Sequence, residues 1–293
     1  MTIALCTDEK YSFPCGVCVT SILENNKEEE CNIYIISKEL KIKTIEKFKK
    51  LQKKYRQKVE IILVSDNAFE GLKISERFPE SIYYRFMLPQ LLNEDKVIYL
   101  DCDIIVTSNL KEFWNTEINE RACGVVEDQR GDDITLHNRI DFHDRYFNSG
   151  VLLMNLRYWR ENMISNKLIN FIYNNPGKCI FPDQDALNAI ISNQVIFLEY
   201  KYNYQEMFLQ NRDGLYLHKS KWNNLLPSNV MPTIIHYTGS VKPWYRFCTH
   251  PYASIFKDYK AISPWKNTRQ VARYKLLEKL KNIIEYSIYT LRS

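Results

Sequence analysis

Glycine is scarce in this chain, with eight among 293 residues. A chain so poor in glycine and 45% hydrophobic is neither a flexible linker array nor a disordered polymer, and it predicts a packed globule. Long apolar runs are missing too: none approaches the roughly 20 residues of a membrane span. The opening Met-Thr-Ile-Ala-Leu lacks the basic region and apolar core of a secretory signal, and Asn-x-Ser/Thr occurs nowhere. Together these predict a cytoplasmic chain. The eight cysteines are scattered rather than spaced as a disulfide framework. Cys15 and Cys18 form one Cys-x-x-Cys, but no second pair stands at zinc spacing, so a reduced, partly buried pair is expected. Net charge is absent from the body of the chain. Residues 266–293 carry seven Lys+Arg and two Asp+Glu, a net of +5, and the whole chain is also +5 (40 minus 35). A nucleic-acid binder spreads its basic face over the folded domain, so no nucleic-acid partner is expected.

What is present begins with a buried-type run. Residues 97–106 read Val-Ile-Tyr-Leu-Asp-Cys-Asp-Ile-Ile-Val, an apolar, β-branched strand pattern broken by two carboxylates. In one extended strand, Asp101 and Asp103 project from the same side. Like charges that close repel unless a cation sits between them. Oxygen ligands suit Mg²⁺ or Mn²⁺, which commonly takes one or two carboxylates plus substrate phosphates. The plainer reading is a strand end whose acids face water. Upstream, strands are expected over 3–6, 32–37 and 59–64, with helices over 14–24, 41–55 and 81–92. That alternation predicts a parallel sheet with right-handed crossovers. Ligands in such sheets gather beyond the carboxyl ends of the strands, which brings the Asp8 loop and the Asp101–Asp103 pair to one edge.

The second half is less regular. A strand over 122–126 ends in Glu127-Asp128, and the charged loop over 129–146 is placed to fold across the site. Strand 151–155 leads into a helical stretch at Trp159, and Pro182-Asp183-Gln184-Asp185 opens a helix whose acids suit its dipole. Residues 200–231 show no clear period. His236 follows Ile234-Ile235 at a strand end. A lone histidine is most often structural, but Gly239 and Lys242 follow it, and a lysine is a point charge suited to phosphate. Two carboxylates and one imidazole favour Mn²⁺ over Mg²⁺.

Asp8-x-x-Tyr11, Tyr84-Arg85, the Asp-x-Asp run, Tyr146-Phe-Asn-Ser-Gly-Val-Leu-Leu, Asp183-Gln184-Asp185 and His236-Tyr-x-Gly-x-x-Lys-Pro-Trp244 come in one order. In these stretches the chain resembles the family 8 glycosyltransferases, the group of bacterial lipopolysaccharide glucosyl- and galactosyltransferases and, more distantly, glycogenin. The resemblance implies an α/β GT-A fold with a Rossmann-like, mostly parallel sheet flanked by helices. It implies UDP-glucose or UDP-galactose as donor, a glycan or glycolipid acceptor, and retained anomeric configuration. By position, Cys6, Asp8 and Tyr11 would make the uridine contacts, Asp8 bonding the uracil and Tyr11 stacking on it. Asp101, Asp103 and His236 would hold Mn²⁺, and Gly239 and Lys242 would contact the phosphates. Arg85, Asp101, Asn148, Asp183 and Gln184 would line the sugar, with Asp128 near the acceptor. Lys10 stands where the family commonly has asparagine, and the small residues before Asp8 are Cys6 and Thr7.

Breaking the anomeric C–O bond builds oxocarbenium character on the sugar and negative charge on UDP. Gln184 is a poor nucleophile, which favours same-face attack by the acceptor hydroxyl and leaves Asp183 as the rival nucleophile. Two other functions compete. A sugar-nucleotide pyrophosphorylase would carry a Gly-rich basic loop, but residues 6–14 hold no glycine and one base. A non-catalytic UDP-sugar or glycan-binding protein would have lost ligands that are all present here. The expected organisation is a domain over 1–265 and a basic amphipathic helix over 266–293. In the latter, Val271, Tyr274, Leu277, Ile284, Ile288 and Leu291 make an apolar stripe flanked by Arg269, Arg273, Lys275, Lys279 and Lys281. Such a helix either packs on the domain or anchors the protein peripherally to an anionic membrane, and the isolation of the charge favours the anchor.

Overall fold

The computed structural model describes residues 1–65, 69, 71–72, 79–133, 137–138, 140, 145–175, 177–209, 219–227 and 229–271. Strands β1 (Thr2–Cys6), β2 (Asn32–Ser37), β3 (Lys58–Leu63), β4 (Lys96–Leu100), β5 (Ile104–Val106), β6 (Cys123–Glu127), β7 (Phe147–Asn155), β8 (Val195–Phe197), β9 (Tyr204–Gln205) and β10 (Ile234–His236) build two sheets. Seven make the main sheet in the order β3-β2-β1-β4-β7-β6-β8, and β5-β10-β9 make a small second one. β1 pairs in parallel with both β2 and β4, so the strand order reverses beside it. The crevice where an α/β sheet receives a ligand lies at such a reversal.

Side chains alternate across the main sheet as a period of two demands. Ile3, Leu5, Ile98, Leu100, Val151 and Leu153 face one core, together with α1 (Ser12–Asn25) and α2 (Ile42–Tyr55). Ala4, Cys6, Val97, Tyr99, Leu152 and Met154 face the other, under the helices Leu156–Glu161, Ile164–Asn174 and Pro182–Ile191. The α2 helix buries only Thr44, Phe48 and Leu51 and leaves its lysines outward. It stops where Arg56 turns left-handed at φ 57° and returns its N–H to the Gln52 carbonyl. Cys15 and Cys18 lie one turn apart in α1, both buried and free.

Two expectations are corrected and one is borne out. The run over 97–106 is two strands: β4 ends at Leu100 in the main sheet and β5 starts at Ile104 in the small one. Asp101 and Asp103 therefore meet across the turn between two sheets, not along one strand. The main sheet is mostly parallel as expected, β7 alone running antiparallel, to both β4 and β6. Every residue of β7 is buried, so its sequence carries no alternation to distinguish it from a central parallel strand. The expected helix over 81–92 is a 3₁₀ stretch, Glu80–Met87, followed by one α-turn, Leu88–Leu91. Pro89 has no N–H to give the Arg85 carbonyl, so the α ladder cannot run through it, and that carbonyl takes the Leu88 N–H instead.

Beyond the helix Ala253–Ile262, Trp265 is buried against Phe48, ring centroids 5.0 Å apart. The chain then returns, and the Val271 N–H bonds the Trp244 carbonyl while the Arg246 N–H bonds the Val271 carbonyl. The amphipathic helix expected over 266–293 does not include its first residues: 266–271 form a turn and a bridge from Val271 to Tyr245, and 272–293 lie outside the described residues. Among those described, no helix is long and apolar enough to cross a membrane.

Candidate active site

The turn after β4 supplies Asp101 and Asp103, and the end of β10 supplies His236. Antiparallel pairing of β10 with β5 sets His236 opposite Ile104. Ligand atoms of the three side chains all lie within 4.8 Å of one another. His236 Nε2 is 3.2 Å from Asp103 Oδ1 and 3.9 Å from Asp101 Oδ2. Gly150 closes the space behind them: a Cβ there would stand 2.2 Å from His236 Cε1 and 2.7 Å from Asp101 Oδ2.

The neighbouring amides fix which histidine nitrogen is free. The Gly150 N–H can only donate, and it gives to Asn148 Oδ1 at 3.0 Å. The same oxygen accepts Asn203 Nδ2 at 2.9 Å, which turns Asn203 Oδ1 toward His236 Nδ1 at 2.8 Å. The proton therefore sits on Nδ1, and Nε2 presents a lone pair between the two aspartates. This donor set fits a divalent ion, with an outer partner orienting the imidazole as is usual for metal-binding histidines.

Arg85 joins this cluster to a second. It is 3% exposed, and Nη2 donates to Asp101 Oδ1 at 3.0 Å and Nη1 to the Ser149 carbonyl at 2.7 Å. Nη1 also pairs with Asp183 Oδ2 at 3.1 Å, and the guanidinium lies over the Tyr99 ring. Burial disfavours its charge, but Asp183, Tyr99 and Asp101 hold Arg85 firmly protonated. Burial also pushes Asp183 up, against Arg85 and a 2.9 Å bond from Ser149 Oγ. Asp128 is raised by burial too, although Asn148, Gln184 and the Arg130 N–H all donate to it. Burial acts on Asp103 in the same direction, but the Lys242 ammonium holds its carboxyl well below the usual carboxylate range. Lys242 Nζ reaches Asp103 Oδ2 at 2.6 Å and also donates to the Tyr237 carbonyl.

Gln184 and Asn148 arrive by a local device. Pro182 opens the helix Pro182–Ile191, with Asp183 and Asp185 in its first turn. Asn188, one turn after Gln184, clamps both the N–H and the carbonyl of Phe147 at 2.8 Å. Gln184 is thereby held against the next residues of β7, its Oε1 accepting from Asn148 Nδ2 and the Ser149 N–H. A bulge lets β7 reach it: Val125 pairs with Leu152 but Val126 pairs with Asn148, so residues 149–151 have no partner on β6.

The structure therefore gathers Arg85, Asp101, Asp103, Asp128, Asn148, Asp183, Gln184, His236 and Lys242 into one connected network. Cys6, Asp8 and Tyr11 sit at the adjoining end of β1. The Cys6 carbonyl accepts the Cys102 thiol, Asp8 Oδ1 accepts the Tyr11 N–H at 2.7 Å, and the Tyr11 ring meets Trp244 edge-on at 5.9 Å. Gly239 is overlain by Glu206. Sequence reasoning missed Asn203, Ser149 and Glu206. Ser149 stands inside a motif that was read, whereas Asn203 and Glu206 belong to the aperiodic stretch after 200. Of the loop over 129–146, residues 134–136, 139 and 141–144 lie outside the described residues, so its placement across the site is not described.

The mixed sheet with its acidic turn at the β1/β4 crevice is a GT-A fold. The chain belongs to glycosyl transferase family 8, whose model matches residues 2–248. It is 30% identical to a lipopolysaccharide 1,2-glucosyltransferase of Escherichia coli, over 94% of this chain and 84% of that protein. It is 28% identical to general stress protein A of Bacillus subtilis (strain 168), over 90% of this chain and 94% of that protein. The galactosyltransferase LgtC, solved with donor and acceptor sugar analogues, superposes with a TM-score of 0.82 at 21% identity, covering 95% of this chain and 100% of LgtC. The chain is thus a glycosyltransferase.

Proposed function

We propose that this glycosyltransferase moves glucose or galactose from a UDP-sugar to a hydroxyl of a cell-envelope glycan or glycolipid, with retained configuration and a bound Mn²⁺. The observation that carries the reading is the convergence of Asp101, Asp103 and His236 Nε2, with the imidazole Nδ1–H donated to Asn203 Oδ1. A half-buried acidic pair with an imidazole nitrogen suits Mn²⁺ better than Mg²⁺. When bound, the ion supplies positive charge against the developing charge of the departing diphosphate. Lys242 adds a fixed ammonium on the same side, and Gly239 offers a backbone N–H. Cys6, Asp8 and Tyr11 hold the uridine, and names among the relatives support a hexose donor and a lipopolysaccharide acceptor.

Arg85, Asn148, Asp183 and Gln184 orient the sugar. Gln184 directs its amide oxygen toward Asn148 and Ser149 and, as a carboxamide, is a poor nucleophile, while Asp183 Oδ2 is engaged by Arg85 and Ser149. This supports same-face attack, in which the acceptor hydroxyl gives its proton to the leaving phosphate oxygen and Asp128 positions the acceptor. The basic segment over 266–293 serves as a peripheral anchor for the domain over 1–265, which suits a lipid-borne acceptor at the cytoplasmic face. Its removal should abolish salt-sensitive co-sedimentation with anionic vesicles.

The central test is turnover of UDP-glucose and UDP-galactose with Mn²⁺, with EDTA, and in Asp103→Asn. Turnover should require the ion and vanish in the variant. Full activity in EDTA would remove the metal from the mechanism, and UDP-sugar binding without turnover would make this a binding protein.

A further inference from the structure

Glu206 lies in the 3₁₀ turn Glu206–Leu209 directly after β9. Its carboxylate accepts the Gly239 backbone N–H. Oε2 occupies the space above Gly239, only 1.4 Å from where a Cβ would be, so any side chain at 239 would expel it. Lys242, three residues on, is the cation that most stabilises the Glu206 charge against its burial. The Gly239 N–H bonds the carboxylate, and the Lys242 ammonium, itself bonded to Asp103 and the Tyr237 carbonyl, acts on it as a nearby positive charge; together they form an anion site that the chain here fills with its own anion.

The segment carrying Glu206 is anchored on both sides. Gln205 is fully buried, its Nε2 donates to the Glu127 carbonyl at 2.9 Å, and its Oε1 accepts the Gln129 N–H at 2.8 Å. Gln129 in turn accepts the Met207 N–H at 2.9 Å. The backbone of the turn is thus tethered, while the carboxylate itself is only half-buried and reaches the chain leaving the neighbouring strand β10. A rotation of the Glu206 side chain empties the seat without moving the turn.

We infer that Glu206 is an internal stand-in for a donor phosphate, seated over Gly239 in the field of Lys242 until a nucleoside diphosphate displaces it. The inference rests on the reading above that these two residues receive the diphosphate. Two anions cannot share one N–H and one ammonium without repulsion, so donor binding includes the expulsion of Glu206. A site whose competent form is only a fraction f of the population binds weaker by that fraction. With the open form at about 10% or less, removing the carboxylate tightens UDP binding by at least about tenfold. Glu206 so sets donor affinity and product release rather than the chemical step.

The test is calorimetric titration of UDP, with Mn²⁺ present, into the wild-type chain, Glu206→Ala and Glu206→Gln. The glutamine keeps an acceptor for the Gly239 N–H and removes only the charge, and circular dichroism checks that both variants are folded. Both should bind UDP more tightly, with Glu206→Ala gaining about tenfold and with Mn²⁺ affinity in the absence of UDP unchanged. In steady state the donor KM should fall without a matching rise in kcat. UDP affinity equal to or weaker than wild type in both folded variants would overturn the inference and leave the diphosphate reading standing. Failure of all three chains to bind UDP would instead overturn the diphosphate reading, and the inference with it.

Discussion

Replacing Asn203 by alanine tests the site through a residue that touches no ligand in the proposed mechanism. Asn203 is fully buried and makes two directed bonds, accepting from His236 Nδ1 at 2.8 Å and donating to Asn148 Oδ1 at 2.9 Å. Alanine removes both. Asn148 Oδ1 still has the Gly150 N–H, so its loss is partial, but His236 Nδ1 is left without the acceptor that keeps its proton. A buried polar group stripped of its partner costs about 1–3 kcal/mol, so a stability loss of roughly 2–4 kcal/mol is expected for the pair. The effect on the metal is separate. Without Asn203 the imidazole gains by placing its proton on Nε2, facing Asp101 and Asp103, and in that tautomer it cannot ligate. Loss of such an orienting partner typically costs 10–100-fold in metal affinity. Calorimetric titration of Mn²⁺ reads this directly, and thermal unfolding without metal reads the stability term. Asn203→Asp sharpens the comparison, because it keeps the acceptor for Nδ1–H while setting oxygen against Asn148 Oδ1. It should hold Mn²⁺ better than the alanine variant. Mn²⁺ affinity unchanged in Asn203→Ala, alongside the full stability loss, would refute the tautomer argument and reduce Asn203 to packing.

Two further outcomes follow from the buried charges. His250 is packed against Tyr237, accepts the Tyr252 N–H on Nδ1 and finds no partner for Nε2 among the described residues; burial and Lys242 push its pKa down to about 3 from 6.5. A histidine held neutral in the fold contributes stability that is complete above pH 6.5 and is lost as pH falls from there toward 3; His250→Gln, which keeps an acceptor for Tyr252, should flatten that limb in pH-dependent melting, and an unchanged limb would show that other groups cause it. At the sugar, Asp183→Asn should depress kcat far more than Gln184→Ala, because it strips buried Arg85 of a charged partner, whereas Gln184 carries no charge of its own; a glycosyl adduct trapped on Asp183 and seen by mass spectrometry would overturn same-face attack.

Much of this site was legible in the sequence because its parts sit where the chain announces itself. Asp101, Asp103 and His236 interrupt or end apolar strands, and Asp183 and Gln184 open a helix behind a proline. The crevice at β1/β4 followed from the alternation of strands and helices. The partners of those residues were not legible. Asn203 and Glu206 lie between 3₁₀ turns and the two-residue strand β9, where no period of 2 or 3.6 can develop. Their roles depend on which loop passes beside them, and sequence spacing does not encode that. The split of the Asp-x-Asp run was hidden for a different reason. β4 and β5 are both buried, so the pattern reads straight through a turn that changes sheets.

The bulge between β6 and β7 makes chain length itself a requirement of the site. Asn188 pins Phe147 at one end, and the pairing of Val151 with Leu100 pins the other. The residues between must deliver Asn148, Ser149 and Gly150 to three different neighbours. One residue more or fewer there would turn every following side chain of β7 to the opposite face. It would exchange the two cores along the strand as well as scatter the site. Loops elsewhere on this scaffold can be lengthened to suit a new acceptor, but this three-residue span cannot. Anyone recombining segments between relatives of this enzyme should place crossovers outside it.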